Sequence, residues 1–236
     1  MKWLSWILVL LCMASSLHSS EFDRLKQVEE QGTKNPDLFY NLGVTYWQTG
    51  QSGMASLYFL KALNLDSAHR QARENLNYVI ELSVDRDLYP SRVFLIQLFL
   101  KFYDSLNLNR MALITLSLLF LSALGALWYL NYDPQKERDL PALIWGISLF
   151  LLLVSGTLTG FKAYRRSHNR QAVVISEQAE LCAEPKDDAE RTALIHEALI
   201  LQVRKYQGDW ALVSLPDGSE GWLPKAKIAV VLQHPI

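Results

Sequence analysis

The fold is decided by the stretch from Met111 to Phe161, which reads MALITLSLLFLSALGALWYLNYDPQKERDLPALIWGISLFLLLVSGTLTGF. It holds two runs without a charged residue, 111–130 and 140–161, separated only by the polar segment 131–139. An α-helix rises about 1.5 Å per residue, so each run reaches about 30 Å, the thickness of the hydrocarbon core of a bilayer. Helices of this length in soluble proteins normally keep a polar face. The two runs are therefore predicted to form a transmembrane helical hairpin with a short cytoplasmic loop.

Outside this hairpin, the composition averages over very different segments. The chain has 236 residues, 50% hydrophobic and 20% charged, with a formal net charge of −1. This balance argues against a general nucleic-acid-binding protein, because binding to phosphates requires an excess of positive charge. The apolar fraction is too large for a mainly disordered chain, and two cysteines are too few for a disulfide scaffold. The apolar residues are instead collected into blocks, with polar blocks between them.

Another apolar block opens the chain at residues 1–20. Lys2 precedes an uncharged run of about ten residues, and small residues such as Ala14 and Ser16 follow it. This order predicts a secretory signal peptide, because the run is too short to cross a bilayer. Cys12 suggests the alternative of a lipoprotein signal, but the bulky Leu11 stands where such signals need a small residue. Removal of the signal leaves a single cysteine and excludes an intrachain disulfide.

The signal peptide and the basic residues give opposite predictions of topology. A cleaved signal places both soluble parts on the periplasmic side of a bacterial cytoplasmic membrane, with the 131–139 loop in the cytoplasm. The basic linker 162–171, which contains Arg165 and Arg166, then lies outside, whereas the positive-inside rule favours the reverse. We give precedence to the signal peptide, because it directs the first soluble part across the membrane before the hairpin is synthesised.

Small residues recur at helical spacing in both uncharged runs. Gly156 and Gly160 form a GxxxG pattern in the second run, and Ser122 and Ala126 form a similar pair in the first. Such faces allow close contact between helices. They indicate either packing of the hairpin against itself or contact with another membrane protein.

Residues 21–88 show a helical pattern with one informative stretch, NPDLFYNLGVTYWQTGQSGMASLYFLKALNL (35–65). Its spacing is that of a tetratricopeptide repeat. Gly43 and Ala55 would let two helices approach closely, and Gly50 would lie in the turn between them. One repeat cannot bury its faces alone, so we expect it to pack against flanking helices or a partner. The positions that fit the repeat are Phe39, Leu42, Gly43, Tyr46, Gly50, Ala55, Phe59 and Ala62.

The first helix of this repeat provides the first candidate binding surface. Tyr40 and Trp47 are large aromatic residues at positions that core packing does not require, so they are candidates for binding a peptide. The alternative is that both pack against the preceding helix, predicted at 22–31. By the geometry of tetratricopeptide repeats, the concave side of the first helix carries Asp37, Tyr40, Val44, Trp47 and Gln48.

The segment 89–110 is predicted to be an interfacial amphipathic helix. Its run RVFLIQLFLKFY (92–103) is apolar around most of a helix, with Arg92, Gln97 and Lys101 on one side. A helix of this kind lies among the lipid headgroups. Too few residues separate its charges for a third crossing of the membrane.

The chain changes to short β-type runs in residues 172–236. Asp217-Gly218 between two such runs predicts a β-hairpin, and Gly208-Asp209 marks another turn. About five strands without a helix favour a small barrel. The series GDWALVSLPDGSEGWLP (208–224) resembles the end of bacterial SH3 domains. That end typically contains the elements GDW, DG and GW in this order.

Aromatic residues of this domain provide a second candidate binding surface. Tyr206, Trp210 and Trp222 could line a groove for a peptide or a glycan, since tryptophan offers a large rigid surface. Trp222 has the alternative role of a core residue, which makes Trp210 the better exposed candidate.

Motifs for catalysis and metal binding are absent from the sequence. It contains no P-loop, dinucleotide-binding, zinc-protease or nucleophile-elbow motif. The five histidines are scattered, and none is spaced with a cysteine to form a metal site. We therefore expect a non-enzymatic protein without a cofactor.

The order of these segments resembles the BatE proteins of the Bat (aerotolerance) operons. The likeness lies in LFYNLGVTYWQTGQSGMASLYFLKAL (38–63), in YPSR (89–92) and in the tail at 208–224. The resemblance implies an all-α tetratricopeptide part, a transmembrane hairpin and a small all-β SH3 barrel. It also implies a scaffold for oxidative-stress or envelope tolerance, whose partners are membrane proteins with von Willebrand A domains and a MoxR-type ATPase. The alternative is a sensor whose SH3 domain binds peptidoglycan; an enzyme is a distant third hypothesis.

Overall fold

The computed structural model describes residues 22–90, 93–131 and 139–232. The predicted signal peptide and most of the predicted cytoplasmic loop lie outside these residues. The chain divides into two compact units. The first unit joins the segments on either side of the apolar helices, 1–65, 69–92 and 170–236. The second consists of residues 66–68 and 93–169.

The described part of the first unit starts with four helices, followed by a short 3-10 turn at Arg86–Leu88. Asn35 caps the second helix, because its side-chain oxygen accepts a hydrogen bond from the Asp37 N–H at 2.8 Å. His69 caps the fourth, since its Nδ1 accepts from the Ala72 N–H at 3.2 Å. The helices are α1 (22–30), α2 (Pro36–Gln48), α3 (Ser52–Leu65) and α4 (Arg70–Leu82).

Helices α2 and α3 form a closely packed pair. A Cβ atom added at Gly43 would lie 2.6 Å from the Phe59 ring, and Ala55 is fully buried beside it. Gly50 lies in the turn with φ of 79°, a conformation that favours glycine. The structure thus places the close-contact and turn residues where the helical spacing predicts them.

The rest of the first unit is an antiparallel sheet of seven strands in the order β3-β2-β6-β5-β4-β1-β7. Gly208 and Gly218 occupy the two predicted turns with φ of 56° and 91°. A 3-10 turn covers Lys225–Lys227. The strands are β1 (Gln171–Val174), β2 (Gln178–Cys182), β3 (Arg191–His196), β4 (Ile200–Gln207), β5 (Trp210–Ser214), β6 (Glu220–Pro224) and β7 (Ile228–Val230).

The sheet has more strands than the sequence suggested, because the run from 193 to 207 turns back on itself. Ala198 lies in this turn with φ of 71°, in the left-handed region that non-glycine residues rarely adopt. Its N–H donates to the Val174 carbonyl at 2.9 Å, and its side chain is buried. The run therefore supplies both β3 and β4.

In its described residues, the second unit contains three helices: α5 (Phe94–Ser105), α6 (Leu108–Asn131) and α7 (Asp139–Ser167). Helices α6 and α7 are long and apolar enough to span a membrane, by length and composition. Their apolar side chains are largely exposed, unlike those in the core helix of a soluble protein. Helix α7 continues past Phe161, so residues 162–167 of the predicted linker are helical.

Helices α6 and α7 contact each other through a small polar cluster and through aromatic rings. Thr115 Oγ1 lies 2.7 Å from Ser155 Oγ and 3.0 Å from Thr159 Oγ1. Tyr129 stacks on Trp145 with ring centroids 5.7 Å apart. A Cβ added at Gly156 or at Gly160 would meet nothing within 4 Å. In the described residues, the predicted GxxxG face is therefore not the contact between these two helices.

Candidate functional site

The aromatic residues predicted to form a concave surface lie on α2, partly covered by α3 and α4. Tyr40 is half-buried, with its ring centroid 5.0 Å from that of His69 and 6.0 Å from that of Phe59. Trp47 meets Tyr78 of α4 edge to face at 5.9 Å. The ring of Tyr40 thus lies against α3 and the cap residue of α4, and the ring of Trp47 lies against α4. Both side chains are partly exposed to solvent.

The other residues of this surface differ in exposure. Val44 is half-buried and Gln48 is exposed. Asp37 is exposed, and its Oδ1 lies 3.2 Å from His69 Nε2. The five predicted residues thus share one side of α2, with polar groups at its two ends.

A charged cluster joins α1 to α3 on another side of the helical part. The Tyr58 hydroxyl donates to Glu29 Oε2 and accepts from Lys26 Nζ, both at 2.6 Å. Lys61 Nζ donates to Glu29 Oε1 at 3.1 Å. Burial opposes ionisation of Glu29, but the bond from Tyr58 and the charges of Lys61 and Lys26 outweigh it and lower the pKa of this carboxyl. Sequence reasoning missed this cluster, because Glu29 and Lys61 are far apart in the chain.

We expect Glu29→Gln to lower the thermal midpoint at pH 7, because the amide loses both ion pairs with lysine. The folded-state pKa of Glu29 lies below its ordinary value of 4.5, so the carboxylate contributes stability above that value and loses it as the pH falls further. The difference between wild type and variant should therefore shrink below about pH 4.5. Thermal unfolding followed from pH 7 to pH 3 measures it, with Glu30→Gln on the same helix as the control. A constant difference across this range would contradict the assignment.

The turn between β3 and β4 joins the sheet to the helices of the same unit. Glu197 Oε1 accepts from the Gly53 N–H at 2.7 Å, in the first turn of α3. Asp85 accepts from the His196 N–H at 2.6 Å, and its other oxygen lies 2.9 Å from His196 Nδ1. Helix α3 therefore has its first turn capped by a carboxylate from a distant part of the chain.

Tyr89 adds a further link between helices and sheet. Its hydroxyl accepts from the Ile200 N–H at 3.1 Å. Burial raises the pKa of Tyr89 to about 12; the bond from Ile200 opposes this rise and nearby Asp85 adds to it. Val173, Ala198 and Val231 of the sheet join the hydrophobic core of the helices. The helix pair is thus supported in part by the sheet, a contact that the sequence analysis did not predict.

The sheet carries a cavity of about 320 Å³ on the side of β2 and β3. Trp210 and Pro224, which pair across β5 and β6, form part of its wall. Alternate residues of β2 point to one face and form another part. The residues that line the cavity are Gln178, Glu180, Cys182, Asp187, Arg191, Leu194, Trp210, Pro224 and Lys227.

The cavity combines an apolar wall with charges of both signs. Arg191 Nη1 donates to Glu180 Oε1 at 2.7 Å, so the opposite charges of these two side chains neutralise each other in the cavity wall. Leu194 is 48% exposed and adds apolar surface to the same wall. Such a mixture suits an extended peptide, which presents both side chains and polar backbone groups. Sequence reasoning found Trp210 but not Leu194, whose exposure depends on the strand order.

The three predicted aromatic residues of this domain do not share one groove. Trp210 lines the cavity, whereas Tyr206 is exposed and lies under Lys225, with Nζ 4.9 Å from the ring centroid. Trp222 is 8% exposed and has Lys205 Nζ 5.0 Å from its ring centroid. Among the three aromatic residues, Trp210 is the one placed to contact a ligand in this cavity.

The residues that the structure describes include no group of three or more His, Cys, Asp or Glu side chains that could hold a metal ion. Cys182 is a buried free thiol at the end of β2.

Residues 176–229 match the family described as bacterial SH3 domain. The matched region runs from β2 into β7 and contains every residue of the cavity wall. The C-terminal part of the chain is therefore a bacterial SH3 domain. Comparisons with curated proteins and with solved structures give no significant match.

Proposed function

We propose that the protein is a non-enzymatic, membrane-anchored scaffold whose SH3 domain binds a partner protein at the cavity beside Trp210. The observation that carries this proposal is the cavity itself, with an aromatic and apolar wall and charges of both signs. Its volume of about 320 Å³ suits a few residues of a peptide, not a whole folded domain. Helices α6 and α7 supply the anchor.

The packing within the first unit supports one part of the proposed topology. Its helices and its sheet are joined by short hydrogen bonds, although α6 and α7 lie between them in the chain. A hairpin of two spans returns the chain to the side from which it started. Both soluble parts therefore belong on the same side of the membrane, and the N-terminal signal sequence favours the periplasmic side.

We propose the helical part as a second binding element, of the tetratricopeptide type. The spacing from 35 to 65 and the close pair α2–α3 support this assignment. Tyr40 and Trp47 are only partly buried, which leaves part of each side chain open to a ligand. By resemblance to the BatE proteins, the proposed partners are membrane proteins with von Willebrand A domains, with a MoxR-type ATPase, in oxidative-stress or envelope tolerance.

A pull-down of the full chain from detergent extract tests the two surfaces. We expect Trp210→Ala to reduce recovery of the SH3 partner about tenfold or more, since a central tryptophan commonly contributes 2 kcal/mol or more to binding. Tyr206→Ala removes an aromatic ring of the same domain outside the cavity and serves as the matched control. Equal recovery of the partner with both variants would show that the cavity beside Trp210 is not its binding site.

Peptidoglycan is the second candidate ligand, because an aromatic wall with polar neighbours also suits a glycan with peptide stems. Purified cell-wall sacculi separate the two functions in the same experiment. Retention on sacculi that is lost with Trp210→Ala, together with no recovered protein partner, would favour the wall sensor. Recovery of von Willebrand A proteins that is lost with the double variant Tyr40→Ala/Trp47→Ala would favour the scaffold.

A further inference from the structure

Helix α5 exposes a continuous apolar surface. It also has a polar stripe, because Gln97, Lys101 and Asp104 follow one another at helical spacing on one side. An apolar face of this size is rarely left in water. The residues of the apolar face, each more than half exposed, are Phe94, Leu95, Ile96, Leu98, Phe99 and Phe102.

The end of α5 is fixed to α7 by a buried lysine. Lys162 is 9% exposed, and its Nζ donates to the carbonyl of Tyr103 at 2.8 Å and to that of Leu106 at 2.6 Å. The same ammonium lies 4.4 Å from the centroid of the Tyr103 ring, whose hydroxyl donates to the Leu158 carbonyl at 3.2 Å. A cation at the carboxyl end of a helix is favourable, because unpaired carbonyls collect there. Helix α5 is thus held at one place along α7.

Exposed cations lie on the same part of the second unit. Arg165 and Arg166 are in the last turn of α7, directly after the Lys162 clamp, and Lys101 lies on α5 itself. Asp104 is the acidic residue of α5. Three cations against one carboxylate give the unit that carries the apolar face an excess of positive charge near the Lys162 contact. That combination matches the boundary of a bilayer that contains anionic lipids.

We infer that α5 and the basic end of α7 form a lipid-binding surface for anionic phospholipids, with Lys162 as the positioning residue. The apolar face lies in the outer acyl layer, and the polar stripe faces the headgroups and water. We assign lipid as the ligand of this apolar face because α5 belongs to the same unit as α6 and α7. The exposed apolar surfaces of those two helices match the core of a bilayer. The inference rests on the proposed membrane anchor and adds a site to it.

Spin labels on the full-length protein in vesicles test this surface. Single cysteines replace Leu95, Phe99 and Lys101 in turn, in a Cys12→Ser/Cys182→Ser background, and Leu121→Cys on α6 reports the bilayer core. We expect labels at 95 and 99 to collide more often with oxygen, which dissolves in lipid, than with a water-soluble nickel chelate. The label at 101 should show the opposite preference.

Three outcomes would overturn the inference, and one of them also overturns the anchor. Preference for the nickel chelate at 95 and 99, with 121 still in lipid, would show that α5 lies in water. Low collision with both reagents at 95 and 99 would show that protein covers the face, such as a second copy of the chain. Exposure of 121 itself to the nickel chelate would refute the membrane anchor and, with it, the inference.

Charge variants separate the lipid contact from simple folding. In vesicles of phosphatidylcholine with phosphatidylglycerol, Arg165→Gln/Arg166→Gln should reduce the burial of the label at 99 towards the level seen in phosphatidylcholine alone. Lys162→Met should release α5, so the label at 99 becomes more mobile and less buried, and Lys162→Arg should restore much of the effect. Unchanged label depth in Lys162→Met, with or without phosphatidylglycerol, would remove Lys162 from the positioning role.

Discussion

Gly53→Val is expected to lower the melting temperature of the first unit by roughly 6–12 °C, the equivalent of about 3 kcal/mol. The N–H of Gly53 is bonded to Glu197, so α3 and the sheet approach closely at this point. A Cβ added here would lie 2.5 Å from the Val174 carbonyl oxygen and 3.0 Å from Ile175 Cα. Both contacts are with backbone, which cannot move aside as a flexible side chain can. The added atoms must separate the helix from the sheet.

Thermal unfolding of the full chain in detergent, followed by tryptophan fluorescence, measures this effect. Gly146→Val is the matched control, because a Cβ at that position meets nothing within 4 Å. Limited proteolysis adds a structural readout, since cleavage between the end of α7 and the start of β1, at residues 168–170, should release a separated SH3 domain faster. Equal melting temperatures for both variants would mean that the helices and the sheet do not pack as described.

Phe59→Ala should cost about 3–5 kcal/mol, the range for removal of a fully buried phenylalanine. Phe59 is 1% exposed, and its ring contacts the backbone of α2 at Gly43 and the ring of Tyr40. Alanine leaves a cavity between α2 and α3, and α2 then loses the surface that orients Tyr40. We therefore expect loss of folding of the helical part together with loss of any partner bound there.

The control for this variant is Leu82→Ala on α4, whose side chain is 58% exposed. Exposed substitutions of this kind usually change stability by less than about 0.5 kcal/mol. Urea unfolding of both variants gives the comparison. A Phe59→Ala midpoint as high as that of Leu82→Ala would show that α2 and α3 do not share a core.

Local signals in the sequence predicted most of the elements. Glycine and aspartate at 208–209 and 217–218 marked two turns that the structure contains, and uncharged runs of about 20 residues marked α6 and α7. The close approach at Gly43 was predicted from the repeat-like spacing of residues 35–65. These features depend on neighbours in the chain, so a single sequence is enough to find them.

Long-range contacts could not be read in the same way. Nothing near Glu197 or Asp85 indicates that they bind residues more than a hundred positions away. Ala198 gives no turn signal, because alanine seldom adopts a positive φ. The cavity wall depends on strand order, so Leu194 was overlooked, and Trp210, chosen as the better exposed candidate, is only partly exposed. Trp222 needed the structure to decide between groove and core.

The division of the first unit between two distant segments has a consequence for biosynthesis. Residues 22–90 leave the ribosome early, but the sheet that packs on α3 is made only after α5, α6 and α7. During that interval the first turn of α3 lacks Glu197, and part of the helical core lacks Val173 and Val231. A chain that stops within the apolar helices therefore cannot complete the packing of its first unit, because the carboxylate and the apolar side chains that cover this surface of α3 are missing.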